Sequence, residues 1–308
     1  MSAIAEGEAL LKRAEKAHTK TLLKWTPDWP EAARLYEEAA NQFKKDASPR
    51  ALTLQVTALK GAAFASEQTA NINAAAKFLA TAAAAVIKAS DRKQAADLTR
   101  AAAKLYHENG QPRKAAEELA KAAGWVRDDN PDAAFALYDE ACDIYDVENQ
   151  AQMAGDTYRT AVAFLAKQGR LGDALKLLSK QNTGLLKHLD KFQEAYNKNC
   201  LNIVVLHLAV RNTSAAIKAV EQFRSSSPNF IDSYENTAVQ KLIEAFERCD
   251  EELLTKAKAD RTLSYIDNQI QIVVRDTLTI DDDAREAAKK LNRAAPSALG
   301  KEEELDLT

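Results

Sequence analysis

The chain has 308 residues, 28% of them charged, with 9 glycines, 7 prolines and a net charge of −3. Few helix breakers beside abundant alanine favour helix, because alanine loses no side-chain entropy there. The near balance of charge argues against an electrostatic nucleic-acid binder. There is no run of 18 apolar residues to span a membrane, and three scattered cysteines (Cys142, Cys200, Cys249) without a CxxC support neither a disulfide framework nor a metal site.

The opening MSAIAEGEALLKRAEKA reads as a charged amphipathic helix, since it lacks the apolar core of a signal peptide. TLLKWTPDWP (residues 21–30) comes next and concentrates Leu22, Leu23, Trp25 and Trp29 around two prolines, Pro27 and Pro30. The prolines forbid a continuous helix, so large apolar side chains sit in a connection.

From there a pattern recurs: a large residue, alanine three later, another large residue four after that. It runs through Tyr36/Ala39/Phe43, Leu79/Ala82/Val86, Leu98/Ala101/Leu105, Leu119/Ala122/Val126, Tyr138/Ala141/Tyr145 and Tyr158/Ala161/Leu165. Each trio shares one helical face, and the alanines lie 43, 19, 21, 19 and 20 residues apart. About twenty residues make one helix and a turn, so two units make an antiparallel hairpin, and the long gap predicts a further helix over 52–67. Alanine at the centre lets helix axes approach while the flanking residues fill the grooves. Asn109-Gly110 with Pro112, Gly169, and Asp128-Asp129-Asn130-Pro131, whose carboxylates precede a proline, read as helix stops and starts.

After about residue 180 the pattern loosens. AYNKNCLNIVVLHLAVRN reads as a strongly apolar helix and VQKLIEAFERCDEELLTKA as one amphipathic stretch. SYIDNQIQIVVRDTL has helical spacing with a minor strand alternative, and DDDAREAAKKLNRA reads as an acid-started helix. The fold expected is all-α: a TPR-like solenoid of antiparallel helix hairpins over 1–195, a C-terminal helical bundle over 196–295 and a flexible acidic tail over 296–308. Strict TPR signatures are absent.

Candidate chemistry is sparse. No Gly-rich phosphate loop, HExxH or GxSxG occurs. The four histidines pair with neither one another nor the cysteines, and His207 inside IVVLHLAV reads as a core residue. Asp281, Asp282 and Asp283 lack the glycine and glutamate of an EF-hand loop. We therefore expect a binding protein with no cofactor and no metal.

The order of motifs resembles the SNAP family, the soluble attachment proteins for the ATPase NSF, and within it the gamma type. EGEALLKRAEKA precedes the apolar loop; EAARLYEEAANQFK, RKAAEELAKAA, AFALYDEACDIY, PNFIDSYE and KLIEAFE follow; EEELDLT closes the chain. The resemblance implies a non-enzymatic adaptor, cytoplasmic and peripheral on the cytosolic face of membranes. It would be monomeric when free and gathered in several copies around a SNARE four-helix bundle, recruiting NSF and stimulating the ATP hydrolysis that disassembles the bundle. It implies three sites. Leu22, Leu23, Trp25 and Trp29 stand at the family's membrane-attachment loop, with Trp29 the one expected to pack inward. Glu244, Glu247, Glu302, Glu303, Glu304, Leu305, Asp306 and Leu307 stand where the family meets NSF, although Arg248 replaces an acid of alpha-type members. Lys121, Arg159 and Lys167 would face the SNARE bundle, with Glu117 at another position where a basic residue is usual. The alternative is a general helical-repeat scaffold subunit with no ATPase partner.

Overall fold

A computed structural model describes residues 2–19, 26–148 and 154–281, and among them there are helices and turns but no strand. Chain contacts divide the molecule into two compact units, Met1–Phe164 and Leu165–Thr308.

The first unit holds α1 (Ala3–His18), α2 (Trp29–Phe43), α3 (Pro49–Gln68), α4 (Ile72–Lys88), α5 (Arg92–Glu108), α6 (Pro112–Val126) and α7 (Pro131–Val147). It also holds most of α8 (Gly155–Lys167), which crosses the division. From α1 to α7 each helix packs on the next, the stacking of a helical-repeat solenoid. The expected helix over 52–67 is α3. Starts follow capping chemistry: Ser2, Asp28, Ser48, Asn71, Asp91 and Asn130 each accept a first-turn N–H on the side chain, and Pro30, Pro49 and Pro131 stand in first turns that follow; α6 starts on Pro112 behind Gln111, which makes no side-chain cap. Gly110 and Gly169 end their helices at φ +67 and +71. The expected carboxylate cap before Pro131 is instead Asn130, the residue directly preceding the proline. Asp129 pairs with Arg92 at 3.2 Å.

The alanine-centred trios form the core, with Ala39, Ala82, Ala122, Ala141 and Ala161 at zero exposure. The trio in α5 is offset by one residue: Ala101 is exposed and Ala102 is buried. Ala101 to Ala103 are all alanine, so the large residues decide the face, and Leu98, Ala102 and Leu105 follow i, i+4, i+7.

The second unit holds α9 (Leu171–Leu186), α10 (Leu189–Ala209), α11 (Thr213–Ser226), the short α12 (Pro228–Ile231), α13 (Tyr234–Glu247), α14 (Glu251–Lys258), a 3₁₀ turn (Arg261–Tyr265) and α15 (Asn268–Asp276). Helix α10 is its axis, packed by α9, α11, α13 and α15. Leu201, Ile203, Val204, Val205, Leu206 and Leu208 are all buried, as a helix apolar on every side requires. The boundary expected at 195 falls inside α10, one residue before the fully buried Tyr196, so α9 and α10 form a hairpin belonging to this unit. The stretch read as amphipathic divides into two helices at Cys249, which takes φ +50. Asp250 then caps α14 by accepting the N–H groups of Glu252 and Leu253. Residues 268–276 of the ambiguous VV segment are helical. The helix read into DDDAREAAKKLNRA lies outside the described residues except Asp281, whose carboxylate pairs with Arg211 at 2.7 Å.

Candidate functional site

The connection between α1 and α2 is held shut at its base. The Asp28 N–H donates to the Ala17 carbonyl at 2.9 Å, so the chain returns to α2 beside the point where it left α1. The Asp28 carboxylate caps α2 by accepting from the Glu31 N–H at 3.1 Å. Above this bond the His18 ring stacks on the Trp29 indole, centroids 5.3 Å apart and 9° from parallel. The His18 Nε2 meets the Tyr36 hydroxyl at 3.0 Å. Trp29 in turn meets Phe64 of α3 edge-on at 5.5 Å. Burial and the neighbouring Glu15 carboxylate raise the Tyr36 phenol above its ordinary range, so Tyr36 stays a neutral partner for His18.

Two glycines let α2 pack closely on both neighbours. A Cβ on Gly7 of α1 would lie 2.5 Å from the Phe43 ring, and one on Gly61 of α3 would lie 2.7 Å from the Tyr36 ring. The Gly61 contact seats the same Tyr36 ring whose hydroxyl meets His18. Trp29 is therefore a half-buried brace between His18 and Phe64. Leu22, Leu23 and Trp25 lie outside the described residues. His18 and Phe64 stand outside the residues the sequence marks, although Phe64 carries a signal. It is the one large residue in GAAFASE and falls off the face marked by Ala58, Ala62 and Ala65.

The charged candidates are exposed and mostly engaged locally. Lys121 pairs with Glu118 one turn away, Arg159 with Asp156 at 3.0 Å, and Glu117 with Arg113 at 3.0 Å. Lys167 is exposed at the end of α8, beyond the division between the units. Exposed pairs of this kind contribute about 0.2–1 kcal/mol, so an incoming carboxylate displaces them at little cost. In the last turn of α13, Glu247 is exposed and Glu244 accepts from the Arg248 guanidinium at 2.9 Å. The basic residue thus neutralises the acid one turn before it. Glu302, Glu303, Glu304, Leu305, Asp306 and Leu307 lie outside the described residues.

Residues 5–267 match the family described as "Soluble NSF attachment protein, SNAP". The chain is 28% identical over 298 residues to a gamma-soluble NSF attachment protein of Dictyostelium discoideum, covering 94% of this chain and 87% of that protein. It is 31% identical over 280 residues to a gamma-soluble NSF attachment protein of Arabidopsis thaliana, covering 90% and 93%. A match running from the first helix to the threshold of α15, with relatives aligned almost end to end, shows that the chain belongs to the SNAP family of soluble NSF attachment proteins.

Proposed function

We propose that this chain is an adaptor that grips assembled SNARE bundles, recruits NSF and stimulates the ATP hydrolysis that takes the bundles apart. The chemistry belongs to NSF; this protein supplies the grip and the stimulus. The observation that carries the reading is the family match across residues 5–267, reinforced by two relatives named for NSF attachment. The stacked helices of the first unit offer an extended surface on which Lys121 and Arg159 exchange their local acids for those of the bundle. Several copies would surround one bundle.

In this reading the apolar connection is a weak foot on the cytosolic face of a membrane. Leu22, Leu23 and Trp25 would enter lipid while Trp29 braces the base. Each side chain fully buried gains about 1.5–3 kcal/mol, so two or three give reversible attachment comparable to one acyl chain, about 10⁴ M⁻¹. Lys20 and Lys24 each add about 1 kcal/mol on an anionic leaflet. Such a foot does not localise the protein alone. It raises the effective concentration once a membrane-anchored bundle is also held.

Leu22→Ser with Trp25→Ser is therefore expected to slow NSF-driven disassembly of liposome-anchored SNARE complexes and to spare soluble ones. Reconstituted disassembly on both substrates, with a thermal melt, checks this. Equal loss on both, or a lowered melting temperature, would assign those side chains to packing instead. A separate expectation concerns α13. Arg248→Glu removes the partner that neutralises Glu244, and two- to fivefold tighter NSF recruitment should follow, about 0.3–1 kcal/mol. The gain should fade with added salt. Unchanged recruitment at low salt would remove Glu244 from the NSF surface.

A further inference from the structure

Phe64 lies one turn before the end of α3, on its outer side, and is 53% exposed. The inner side of the same helix is filled by Ala58, Leu59, Ala62, Ala63 and Ala65, all buried, so Phe64 is not needed to complete that core. A lone exposed apolar residue requires no explanation, but Phe64 is not alone. Its ring touches Trp29, Trp29 stacks on His18, and these rings stand where the apolar connection joins its two helices.

Charge on this outer side cancels along the helix: Lys60 is exposed one turn before Phe64 and Glu67 is exposed one turn after. Neither an acidic nor a basic partner is selected by such a pair. An uncharged aromatic edge containing an indole fits the boundary between headgroups and acyl chains, where rings with an apolar body and a polar tip are stable.

We propose that the Trp29–Phe64 edge is a second lipid contact, with Phe64 entering the membrane interface beside the loop. This rests on the membrane-foot reading given above. One apolar point lets the first unit swing freely on the bilayer. A second point on α3, far away in the chain yet touching the base of the first, fixes how the unit stands. The ends of α1 and α3 and the start of α2 then face the membrane. Because Lys60 and Glu67 offset each other, the contribution of Phe64 does not weaken with salt, unlike that of Lys20 and Lys24.

The test uses the full chain in a Cys249→Ser background, since Cys142 and Cys200 are buried. A polarity-sensitive fluorophore is attached at Phe64→Cys or, separately, at Leu22→Cys, and the protein is mixed with phosphatidylcholine–phosphatidylserine vesicles. Both probes should shift to the blue and be quenched by brominated lipid. Unlabelled Phe64→Ser should partition onto vesicles about tenfold less well at low and high salt alike. A response at position 22 with an aqueous probe at 64 would overturn this inference and leave the foot intact. Silence at both positions would overturn the foot reading and this inference with it. Should the probe at 64 lower the melting temperature, a label at Lys60→Cys reads the same side of α3, and an aqueous signal there counts against the proposal equally.

Discussion

Gly7→Val is expected to lower the stability of the first unit by about 3 kcal/mol, near the upper end of what overpacking costs. The first carbon of any side chain at Gly7 would meet Cε1, Cζ and Cδ1 of Phe43 at 2.5, 2.7 and 2.9 Å. Phe43 is wholly enclosed and belongs to the core cluster with Ala39, Leu59 and Ala82, so its ring cannot swing aside. Leaving glycine in a helix returns at most about 1 kcal/mol, too little to offset the clash. For a unit of this size the melting temperature should fall by about 6–12 °C. Gly124→Ala is the control. Nothing lies within 4 Å of its Cβ position, and the substitution should stabilise by about 0.4–1 kcal/mol. Shrinking the ring in Gly7→Val/Phe43→Leu should recover part of the loss, a coupling that a double-mutant cycle measures. If Gly7→Val melts like the parent, the close approach of α1 and α2 is not what holds the base of the loop together.

That approach illustrates what the sequence reveals and what it conceals. The i, i+3, i+7 trios announce the stacked helices because burial imposes its period on every turn. The same logic fails in α5, where three consecutive alanines leave the face undefined until Leu98 and Leu105 meet their neighbours. It fails again at Cys249, where a left-handed residue without glycine ends α13. The surviving signal is Asp250 followed by two glutamates, the signature of a new helix start. At the candidate site the prolines and tryptophans of TLLKWTPDWP mark a connection, and Trp29 at its end packs against the cluster of Ala14, Ala32, Leu35 and Tyr36. The clasp from His18, Tyr36 and Phe64 is invisible along the chain, since its members come from three helices. Pairing of exposed charges is equally hidden. Lys121 and Arg159 stand out as basic residues on repeat helices, but Glu118 and Asp156, three positions earlier, decide how free they are.

The largest functional effect should come from the other end of the chain. Deleting residues 301–308 is expected to abolish stimulation of NSF while SNARE-bundle binding stays within about twofold of the parent, since none of the basic candidates lies there. The segment KEEELDLT places Glu302, Glu303, Glu304 and Asp306 around Leu305 and Leu307. In the proposed contact the acids would steer the encounter with a basic partner surface and the leucines would supply the buried contact. Truncating a buried anchor typically costs about 2 kcal/mol or more, about thirtyfold in affinity. Loss of anchor and charges together should leave no measurable stimulation. The two contributions separate experimentally. Glu302→Gln/Glu303→Gln/Glu304→Gln should slow association and flatten its salt dependence, whereas Leu305→Ala/Leu307→Ala should speed dissociation and leave the salt dependence unchanged. A truncated chain that still stimulates NSF would remove the tail from the contact and shift the weight to Glu247 and Glu244 on α13, where Arg248→Glu would then have its greatest effect.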